Sequence, residues 1–414
     1  MLDGRSGPRR WPRVAAVVIL IVIAAVVVRL VTLRPPDVVA RAAFGATVRL
    51  PGAAPAPAWP AAGEAALAVP AIGSLGSAGG DTPTPTASLA KVMTAYLTLE
   101  EHPLSGRGGG FTLTVTPAEA RAEVHDADED ESVVAVAAGE RLDERQLLEA
   151  LLIPSGDNIA RMLAAHDAGS VSRFVAEMNR TAQALGMDRT TYTDPSGFAP
   201  TTVSDAGDQL RVFERAMRFA VFRRIVSMPA VTLPVAGTVA NYDPLIAEGY
   251  DGKTGSDSAA EGCLAFFKRV EVDGRRLTVV GVVLDQGDGS ATSVILAAAA
   301  VAAERLVASV APEIRPRAAV PAGTAVVIAR GAEGNRVAGV TAGALRVIGW
   351  GGLREVVAIR SRPLGTDLVT DQAVGEASLA GPLPVAAGER AGTAVRASAP
   401  LAAPGILWRI AHLL

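Results

Sequence analysis

The chain has 414 residues, 50% of them hydrophobic, and a formal net charge of −3. This length leaves room for two or three domains with a sizeable core. The slightly acidic balance argues against a nucleic-acid footprint, and the sequence carries no glycine-rich phosphate loop and no Cys/His metal spacing. Cys263 is the single cysteine, which excludes an intrachain disulfide.

The first feature in chain order is an apolar run over residues 14–33, which Arg29 interrupts. The run is long enough to cross a bilayer, and the arginines before it orient residues 1–13 toward the cytoplasm as a basic tail. We therefore expect an uncleaved, single-pass anchor in the cell membrane with the rest of the chain outside the cytoplasm. A cleaved signal peptide, which would release a secreted protein, is the alternative. Arg29 and the bulky residues after it stand where a small-residue cleavage site should be.

Residues 34–62 follow as a predicted linker, which ends in the Pro/Ala-rich stretch PGAAPAPAWPAA. Such a composition favours an extended chain that holds the next domain away from a surface.

Folding signals then begin, with a predicted strand at 65–70 and a helix from Ser88. Thr86 is placed to cap that helix. Ser88 and Lys91 share one helical face a single turn apart, the geometry in which an amine can take a proton from a hydroxyl. An accidental Ser-x-x-Lys is the alternative reading of this motif alone.

Lysine is rare here, which makes Lys91 informative. Among 39 Lys and Arg residues, the only lysines are Lys91, Lys253 and Lys268. Arginine stays protonated in proteins, whereas lysine can lose its proton when burial or a neighbouring charge lowers its pKa. Of these two residue types, only lysine can therefore serve as a base.

Two further stretches carry polar residues between apolar segments. The sequence ERQLLEALLIPSGDNIARMLAAH predicts a helix over 144–152, a turn at Ser155, and a helix from about Asn158. Ser155 can point into a cleft, or it can be a plain helix cap. The sequence YDGKTGS places Lys253 at the start of a strand, where cation, hydroxyl and glycine suit the docking of a carboxylate. An ordinary turn with a surface lysine is the alternative.

In this order the three motifs resemble the signature of penicillin-binding enzymes and serine β-lactamases. Longer stretches are similar to the D-alanyl-D-alanine carboxypeptidases, the low-molecular-mass penicillin-binding proteins of serine peptidase family S11. These stretches are TASLAKVMTAYLTLE, VAAGERLDERQLLEALLIPSGDN, FVAEMNRTAQALGMDRTTYTDPSGF, FRRIV and YDGKTGSDSAAEGCLAF. The resemblance implies an α/β (α+β) transpeptidase-like fold over a catalytic domain at 63–308. That fold has a five-stranded antiparallel sheet, flanking helices and an all-helical lobe.

The resemblance also implies the chemistry. Ser88 would be the nucleophile that attacks a peptidoglycan stem peptide ending in D-Ala-D-Ala, with Lys91 as its base. Ser155 would relay a proton to the departing D-alanine. No cofactor and no metal is implied; the partners are the stem peptide, the membrane, and β-lactams as covalent inhibitors. The histidines lie away from all three motifs, so a Ser-His-Asp site has nothing to build on; they are His102, His125, His166 and His412.

Substrate binding would fall to the third motif. By resemblance Lys253 and Thr254 hold the terminal carboxylate. The backbone N–H of Ser256, the position after Gly255, would form an oxyanion hole with that of Ser88.

One departure concerns the second motif, which is usually Ser-x-Asn. Here Ser155 is followed by Gly156, Asp157 and Asn158, as though amide and carboxylate had exchanged places. We expect Asp157 and Asn158 to bind substrate together with the third motif. An ionised Asp157 can pair with Lys91, but it only accepts hydrogen bonds and so loses a contact to the substrate carbonyl. We expect activity that is reduced or altered in substrate preference. The alternatives are an impaired peptidoglycan-binding homologue, a D,D-endopeptidase and a β-lactamase, although no deacylating glutamate can be identified for the last.

The C-terminal part has a different amino-acid pattern. Short apolar stretches separated by Gly, Pro and Asp predict a small β-rich domain at 312–398, similar to the C-terminal domain of the same carboxypeptidases. Residues 399–414 end in GILWRIAHLL, a possible amphipathic helix that is too short to span a bilayer. It can lie in the membrane interface or pack on the β domain.

Overall fold

The computed structural model describes residues 11–80, 82–128, 131–289 and 291–413, and the chain divides into two compact units. The central unit is Ala53–Arg315; the β unit joins the segment ending at Gly52 to the segment that starts at Pro316. The predicted basic tail falls almost entirely on residues outside the described ranges.

The helices and strands are numbered in chain order. The α-helices are α1 Trp11–Thr32, α2 Ala90–Glu101, α3 Pro117–Asp128, α4 Glu144–Leu152, α5 Asp157–Ala168, α6 Val171–Ala184, α7 Ala206–Ala216, α8 Ala220–Ile225, α9 Thr292–Val310 and α10 Ile406–Ala411. Short 3₁₀ turns lie at Ala87–Leu89, Ile246–Glu248 and Ala311–Glu313. The strands of the central unit are β3 Glu64–Val69, β4 Gly73–Ala78, β5 Thr84–Pro85, β6 Thr112–Thr114, β7 Arg141–Asp143, β8 Val203–Ser204, β9 Ala230–Leu233, β10 Gly237–Ala240, β11 Tyr250–Asp257, β12 Glu261–Val272 and β13 Arg275–Gln286. Those of the β unit are β1 Val39–Ala42, β2 Thr47–Arg49, β14 Arg315–Val320, β15 Ala325–Arg330, β16 Arg336–Thr341, β17 Leu345–Gly349, β18 Arg354–Ser361, β19 Ala373–Leu379 and β20 Gly392–Ala397.

The central unit is built on a five-stranded antiparallel sheet in the order β11-β12-β13-β3-β4. Successive side chains of a strand point to opposite faces. Alternate residues of one face, among them Ala66, Phe267 and Val282, join the core formed with helices α2, α4, α5, α6 and α7. Helix α9 packs against β12 and β13. The predicted transpeptidase-like fold is confirmed.

Helices α2 to α6 form the helical lobe, and local sequence signals define their ends. Asp143 and Gln146 form a capping box at the start of α4, which satisfies backbone donors that the helix cannot. Helix α5 ends at Gly169, whose φ of 73° is in the left-handed region that glycine tolerates. The predicted cap at Thr86 is wrong, because its side chain makes no cap hydrogen bond and its Oγ1 is buried without a partner.

The β unit contains a seven-stranded sheet in the order β1-β15-β16-β20-β19-β18-β2. Strands β1 and β2 are neighbours in sequence yet lie at its two ends, so the sheet curls on itself. Ser361 Oγ in β18, the strand next to β2, donates to the Ala40 carbonyl in β1 at 3.0 Å, which links the two ends of the sheet. Val326, Val374 and Val395 are fully buried in its core.

The interval 34–62 differs from the extended linker predicted there. Strand β1 pairs with β15, β2 pairs with β18, and Val38 and Leu50 are buried. The reason is non-local: the partner strands lie some three hundred residues further along the chain. The Pro/Ala-rich part at 51–62 has no helix or strand.

Helix α1 covers most of the predicted membrane segment. It is 22 residues long, has a mean hydropathy of 3.2 and buries none of its residues. Residues Thr292–Glu313 are apolar enough to pass the same length and hydropathy test, but 44% of that window is buried. Helix α9 is therefore a core helix of the central unit.

Candidate active site

Ser88 lies in the 3₁₀ turn Ala87–Leu89, directly before helix α2. Ala87 has a φ of 43°, in the left-handed region that non-glycine residues rarely adopt. Lys91, in the first turn of α2, donates from Nζ to Ser88 Oγ at 2.7 Å. The structure thus brings the first predicted pair into direct contact.

Lys91 is fully buried and has three polar neighbours. Besides Ser88 Oγ, its Nζ donates to the Ser196 carbonyl at 3.0 Å and lies 2.5 Å from Asp157 Oδ1. A buried ammonium needs such partners, because an unpaired charge in the interior is costly. The amine is therefore fixed in place between nucleophile, backbone and carboxylate.

The turn 194–202 carries the Ser196 carbonyl. Burial acts to raise the pKa of Asp194, but hydrogen bonds from Ser196, Thr202 and Gly197 outweigh it and lower that pKa. Gly197 has a φ of 84°, and a Cβ there would lie 1.8 Å from the Ala87 carbonyl oxygen. Asp194 and Gly197 thus shape this turn, which packs directly against the Ser88 segment.

Ser155 occupies the turn between α4 and α5. Its φ of 64° is unusual for serine, and backbone outliers of this kind concentrate at functional sites. Ser155 is buried, and its Oγ accepts from Lys253 Nζ at 3.0 Å. The second and third motifs therefore also meet.

Asp157 begins helix α5, and its two carboxylate oxygens have different partners. Oδ1 faces Lys91, while Oδ2 accepts from the Ser132 N–H at 3.0 Å. The Ser132 carbonyl in turn accepts from the Asp157 N–H at 2.7 Å. Both oxygens are thus engaged by protein groups.

Asn158 is directed away from this cluster. Its Oδ1 accepts from the Val134 N–H at 3.0 Å and its Nδ2 donates to the Val134 carbonyl at 2.8 Å. The amide of Asn158 holds a backbone segment, which leaves Asp157 in the position facing Lys91. A substrate-binding role predicted for Asn158 therefore has no geometric support.

Lys253 lies on β11, an edge strand of the sheet, and only 1% of its surface is exposed. Its Nζ donates to Ser155 Oγ and to the Thr254 carbonyl at 2.7 Å. Burial lowers the pKa of Lys253 well below its ordinary value, and the positive charge of Lys91 lowers it further. Asp157 and Asp243 act in the opposite direction.

Gly255 allows β11 to approach the Ser88 turn. A Cβ at this position would lie 3.0 Å from the Thr86 carbonyl oxygen and 3.2 Å from the Ser88 nitrogen. The glycine of the third motif therefore suits the close packing of two backbones, since any side chain there would be tightly confined.

One pocket exposes Ser88 and Ser155 to solvent, together with residues of the third motif. Its lining is Ser88, Ser132, Ser155, Tyr242, Thr254, Gly255, Ser256, Thr292 and Leu296. Ser132, Tyr242, Thr292 and Leu296 were not predicted from sequence. Tyr242 and the two α9 residues lie outside the three motifs, so no local pattern marks them. Ser132 directly follows the acidic run HDADEDE at 125–131.

The arrangement can perform acyl transfer. A hydroxyl in contact with a buried amine is a nucleophile and base pair, and a second hydroxyl beside a second amine can carry a proton. The third lysine, Lys268, is not part of this arrangement; it donates to the Glu248 carbonyl and lies over the Tyr250 ring.

Comparisons with known proteins agree with this chemistry. The family model described as D-alanyl-D-alanine carboxypeptidase, Peptidase S11, matches residues 75–287, about half of the chain. The carboxypeptidase DacB2 of Mycobacterium tuberculosis is 34% identical over 155 residues, which is 35% of this chain and 52% of that protein. A D-alanyl-D-alanine endopeptidase of Pseudomonas aeruginosa is 31% identical over 98 residues, 24% of this chain and 32% of that protein. The aligned part thus spans about half, or less, of these relatives.

Among solved structures, the Streptomyces K15 DD-transpeptidase superposes with a TM-score of 0.51 and 25% sequence identity. The match covers 63% of this chain and 98% of that one.

Proposed function

Because the chain belongs to the D-alanyl-D-alanine carboxypeptidase family S11, we propose that it removes the terminal D-alanine from peptidoglycan stem peptides through an acyl-enzyme on Ser88. The observation that carries the proposal is the 2.7 Å contact between Lys91 Nζ and Ser88 Oγ on the wall of an open pocket. A hydroxyl becomes a competent nucleophile when a fixed neighbouring base can accept its proton.

The substrate carboxylate would dock at Thr254, whose side chain lines the pocket. The neighbouring Lys253 is buried and hydrogen-bonded to Ser155. Its positive charge would attract the substrate carboxylate at a distance, although the amine itself is not exposed to solvent. Docking the terminal carboxylate in this way sets the scissile amide near Ser88.

In the first step, with Lys91 as the neutral amine, Ser88 Oγ attacks the carbonyl carbon of the penultimate D-alanine and its proton passes to Lys91 Nζ. The oxygen of the tetrahedral intermediate would be stabilised by the backbone N–H groups of Ser88 and Ser256. The close approach that Gly255 permits between β11 and the Ser88 turn supports this pairing.

In the second step, the C–N bond breaks and the nitrogen of the departing D-alanine takes a proton from Ser155 Oγ, which Lys253 or Lys91 replenishes. The 3.0 Å hydrogen bond from Lys253 Nζ to Ser155 Oγ supports this relay. Water then attacks the Ser88 ester, which regenerates the hydroxyl and releases the shortened peptide. A β-lactam would follow both steps as far as the acyl-enzyme: the C–N bond of its ring breaks, but the amine stays tethered and the ester on Ser88 persists.

Release of D-alanine from a stem peptide ending in D-Ala-D-Ala tests this function. The purified full chain should release D-alanine, and Ser88→Ala should lose the activity while Ser105→Ala, at an exposed position, keeps it. Equal release by the wild type and Ser88→Ala would reject the assignment. No release by folded wild type, together with retained stem-peptide binding, would favour an impaired binding homologue.

An endopeptidase activity is the second candidate, because relatives of that name occur in Pseudomonas aeruginosa and Escherichia coli. A crosslinked peptide dimer offered to the same preparation distinguishes the two. Cleavage of the dimer without D-alanine release would favour the endopeptidase.

We further propose that α1 anchors the protein in the cell membrane with the central unit outside the cytoplasm. Its apolar sequence over 22 residues, none of which is buried, supports a membrane-spanning role. Helix α10 supports the interfacial alternative for the C-terminal helix, because Ile406, Leu407 and Ile410 are exposed and Arg409 donates to the Leu30 carbonyl at 3.1 Å. N-terminal sequencing of protein recovered from membranes tests the anchor; a mature N-terminus beyond residue 33 would indicate a cleaved signal peptide instead.

A further inference from the structure

Outside the proposed active site, the fold collects three potential metal ligands that are scattered in the sequence. His102 follows the last residue of α2, and His166 and Asp167 lie in the last turn of α5. One ligand atom from each of the three side chains lies within 4.8 Å of the others. No sequence spacing indicates this group, because 64 positions separate the first histidine from the second.

The Asp167 carboxylate is the most informative member. Its side chain is only 2% exposed, and Oδ2 accepts from Thr98 Oγ1 at 2.7 Å. Oδ1 is buried without a hydrogen-bond partner and lies 3.5 Å from His102 Nε2, beyond the usual length of a hydrogen bond. A buried carboxylate oxygen with no partner is costly, and here it is directed toward two imidazoles.

The surrounding groups orient the three side chains. The Phe111 ring packs against both imidazoles, with centroid distances of 4.9 Å to His102 and 4.2 Å to His166. The Thr98 hydroxyl fixes the carboxylate, as outer groups do around metal ligands in proteins. His166 is exposed and the His102 side chain is 32% exposed, so a cation can reach the group from solvent.

We propose that His102, His166 and Asp167 form a binding site for a divalent transition metal of the Zn²⁺ type. Two imidazoles and one carboxylate are a donor set that suits Zn²⁺, with water completing a tetrahedral shell. Mg²⁺ and Ca²⁺ prefer all-oxygen ligands and would not compete at this site.

The position of the site assigns it a structural role. Helix α2 carries Lys91 in its first turn and helix α5 begins with Asp157, so the two helices meet at the Lys91–Asp157 ion pair. His102 and Asp167 lie at the opposite ends of the same helices. A metal bound there ties the far ends of the two helices that carry the buried ion pair.

The test is Zn²⁺ titration of the metal-free full chain in detergent, purified with a tag that contains no histidine. We expect one Zn²⁺ per chain, a rise in the unfolding midpoint with Zn²⁺, and no such rise with Mg²⁺ or Ca²⁺. His102→Ala and His166→Ala should each weaken binding by at least about tenfold, and Thr98→Val should weaken it by about tenfold through loss of the outer contact. His125→Ala and His412→Ala are matched controls outside the group and should bind as the wild type does.

Two further readouts keep the outcome unambiguous. Cooperative urea unfolding reports folding of each variant independently of the active site, and His166→Ala, at an exposed position, carries the test if the buried Asp167→Asn variant fails to fold. Ser88→Ala should bind Zn²⁺ normally, so the metal site stands or falls separately from the proposed catalysis. Zn²⁺ binding that is absent in the wild type, or unchanged in the His102→Ala/His166→Ala double variant, would overturn the proposal and leave the group as an ion pair.

Discussion

Lys91 and Asp157 form a buried ion pair, with 2.5 Å between Nζ and Oδ1. The family pattern usually has an asparagine where this chain has Asp157, and the neighbouring Asn158 does not replace it because its amide is bonded to the Val134 backbone. The site thus holds a carboxylate that accepts hydrogen bonds but cannot donate to a substrate carbonyl.

We predict that Asp157→Asn increases the rate of acylation by penicillin by about tenfold. The amide would supply a donor for the substrate carbonyl, worth about 1 kcal/mol or more, and would remove the negative charge beside the Lys91 amine. The measurement is the second-order rate of covalent labelling, with Asp188→Asn at an exposed position as control. A slower rate in Asp157→Asn would mean that the carboxylate itself is needed.

A second prediction concerns the alkaline limit of activity. Burial, and then the charge of Lys91, lowers the pKa of Lys253 well below the ordinary lysine value, so Lys253 loses its proton as pH rises through that lowered pKa. If its charge attracts the substrate carboxylate, kcat/KM for D-alanine release falls over the same range. Lys253→Arg, which keeps its charge, should extend activity to higher pH even if the maximum rate is lower. Coincident alkaline limbs for the two proteins would contradict this role.

The three motifs could be predicted from sequence because each is local: Lys91 follows Ser88 by one helical turn, and Lys253, Thr254 and Gly255 are consecutive. The directions of the Asp157 and Asn158 side chains could not be predicted, because they depend on contacts with the segment 132–134. The same holds for Ser196, which reaches Lys91 through a turn that Asp194 organises more than one hundred residues later.

The Gly197 turn provides a third prediction. Alanine at Gly197 would adopt a left-handed φ of 84° and place its Cβ 1.8 Å from the Ala87 carbonyl oxygen. Gly186 has a similar φ of 71° but nothing within 4 Å of an added Cβ. Both substitutions should cost about 1–2 kcal/mol for the backbone conformation, and Gly197→Ala about 1–3 kcal/mol more for the clash.

The measurement is the urea midpoint of each variant together with penicillin labelling. Gly197→Ala should lose labelling because the clash displaces the Ser88 turn, whereas Gly186→Ala should label normally. Equal stability of the two variants, with equal labelling, would show that this contact does not position Ser88.

A fourth prediction uses Asp243, which is buried beside the active site with Oδ2 unpartnered. Burial, with a smaller contribution from Asp251, raises its pKa from 3.8 to about 6. A carboxyl with a raised folded-state pKa destabilises the protein as pH rises from the unfolded value to the folded one. Asp243→Asn should therefore match the wild type near about pH 3 and be more stable above about pH 6, by up to about 3 kcal/mol.

Urea unfolding across this pH range checks the prediction. The gain in stability should appear between the two pKa values and then stay constant. A difference that is already present at low pH would instead reflect the packing of the amide.

The β unit marks the limit of sequence reasoning about the fold. The strands after residue 312 were predicted from short apolar stretches separated by Gly, Pro and Asp. Strands β1 and β2 were not predicted, because they are only four and three residues long. Segments this short carry no usable periodicity, and their partners β15 and β18 lie far along the chain. The Pro/Ala-rich stretch that follows them dominated the composition of the whole interval.

The central claim is that Ser88 is the nucleophile. Mass spectrometry of the full chain after exposure to benzylpenicillin tests it most directly, by locating the covalent adduct in a proteolytic digest. We expect one adduct per chain, on the peptide that contains Ser88, and none in Ser88→Ala. An adduct on a different serine of the wild type, or one that persists in Ser88→Ala, would contradict it.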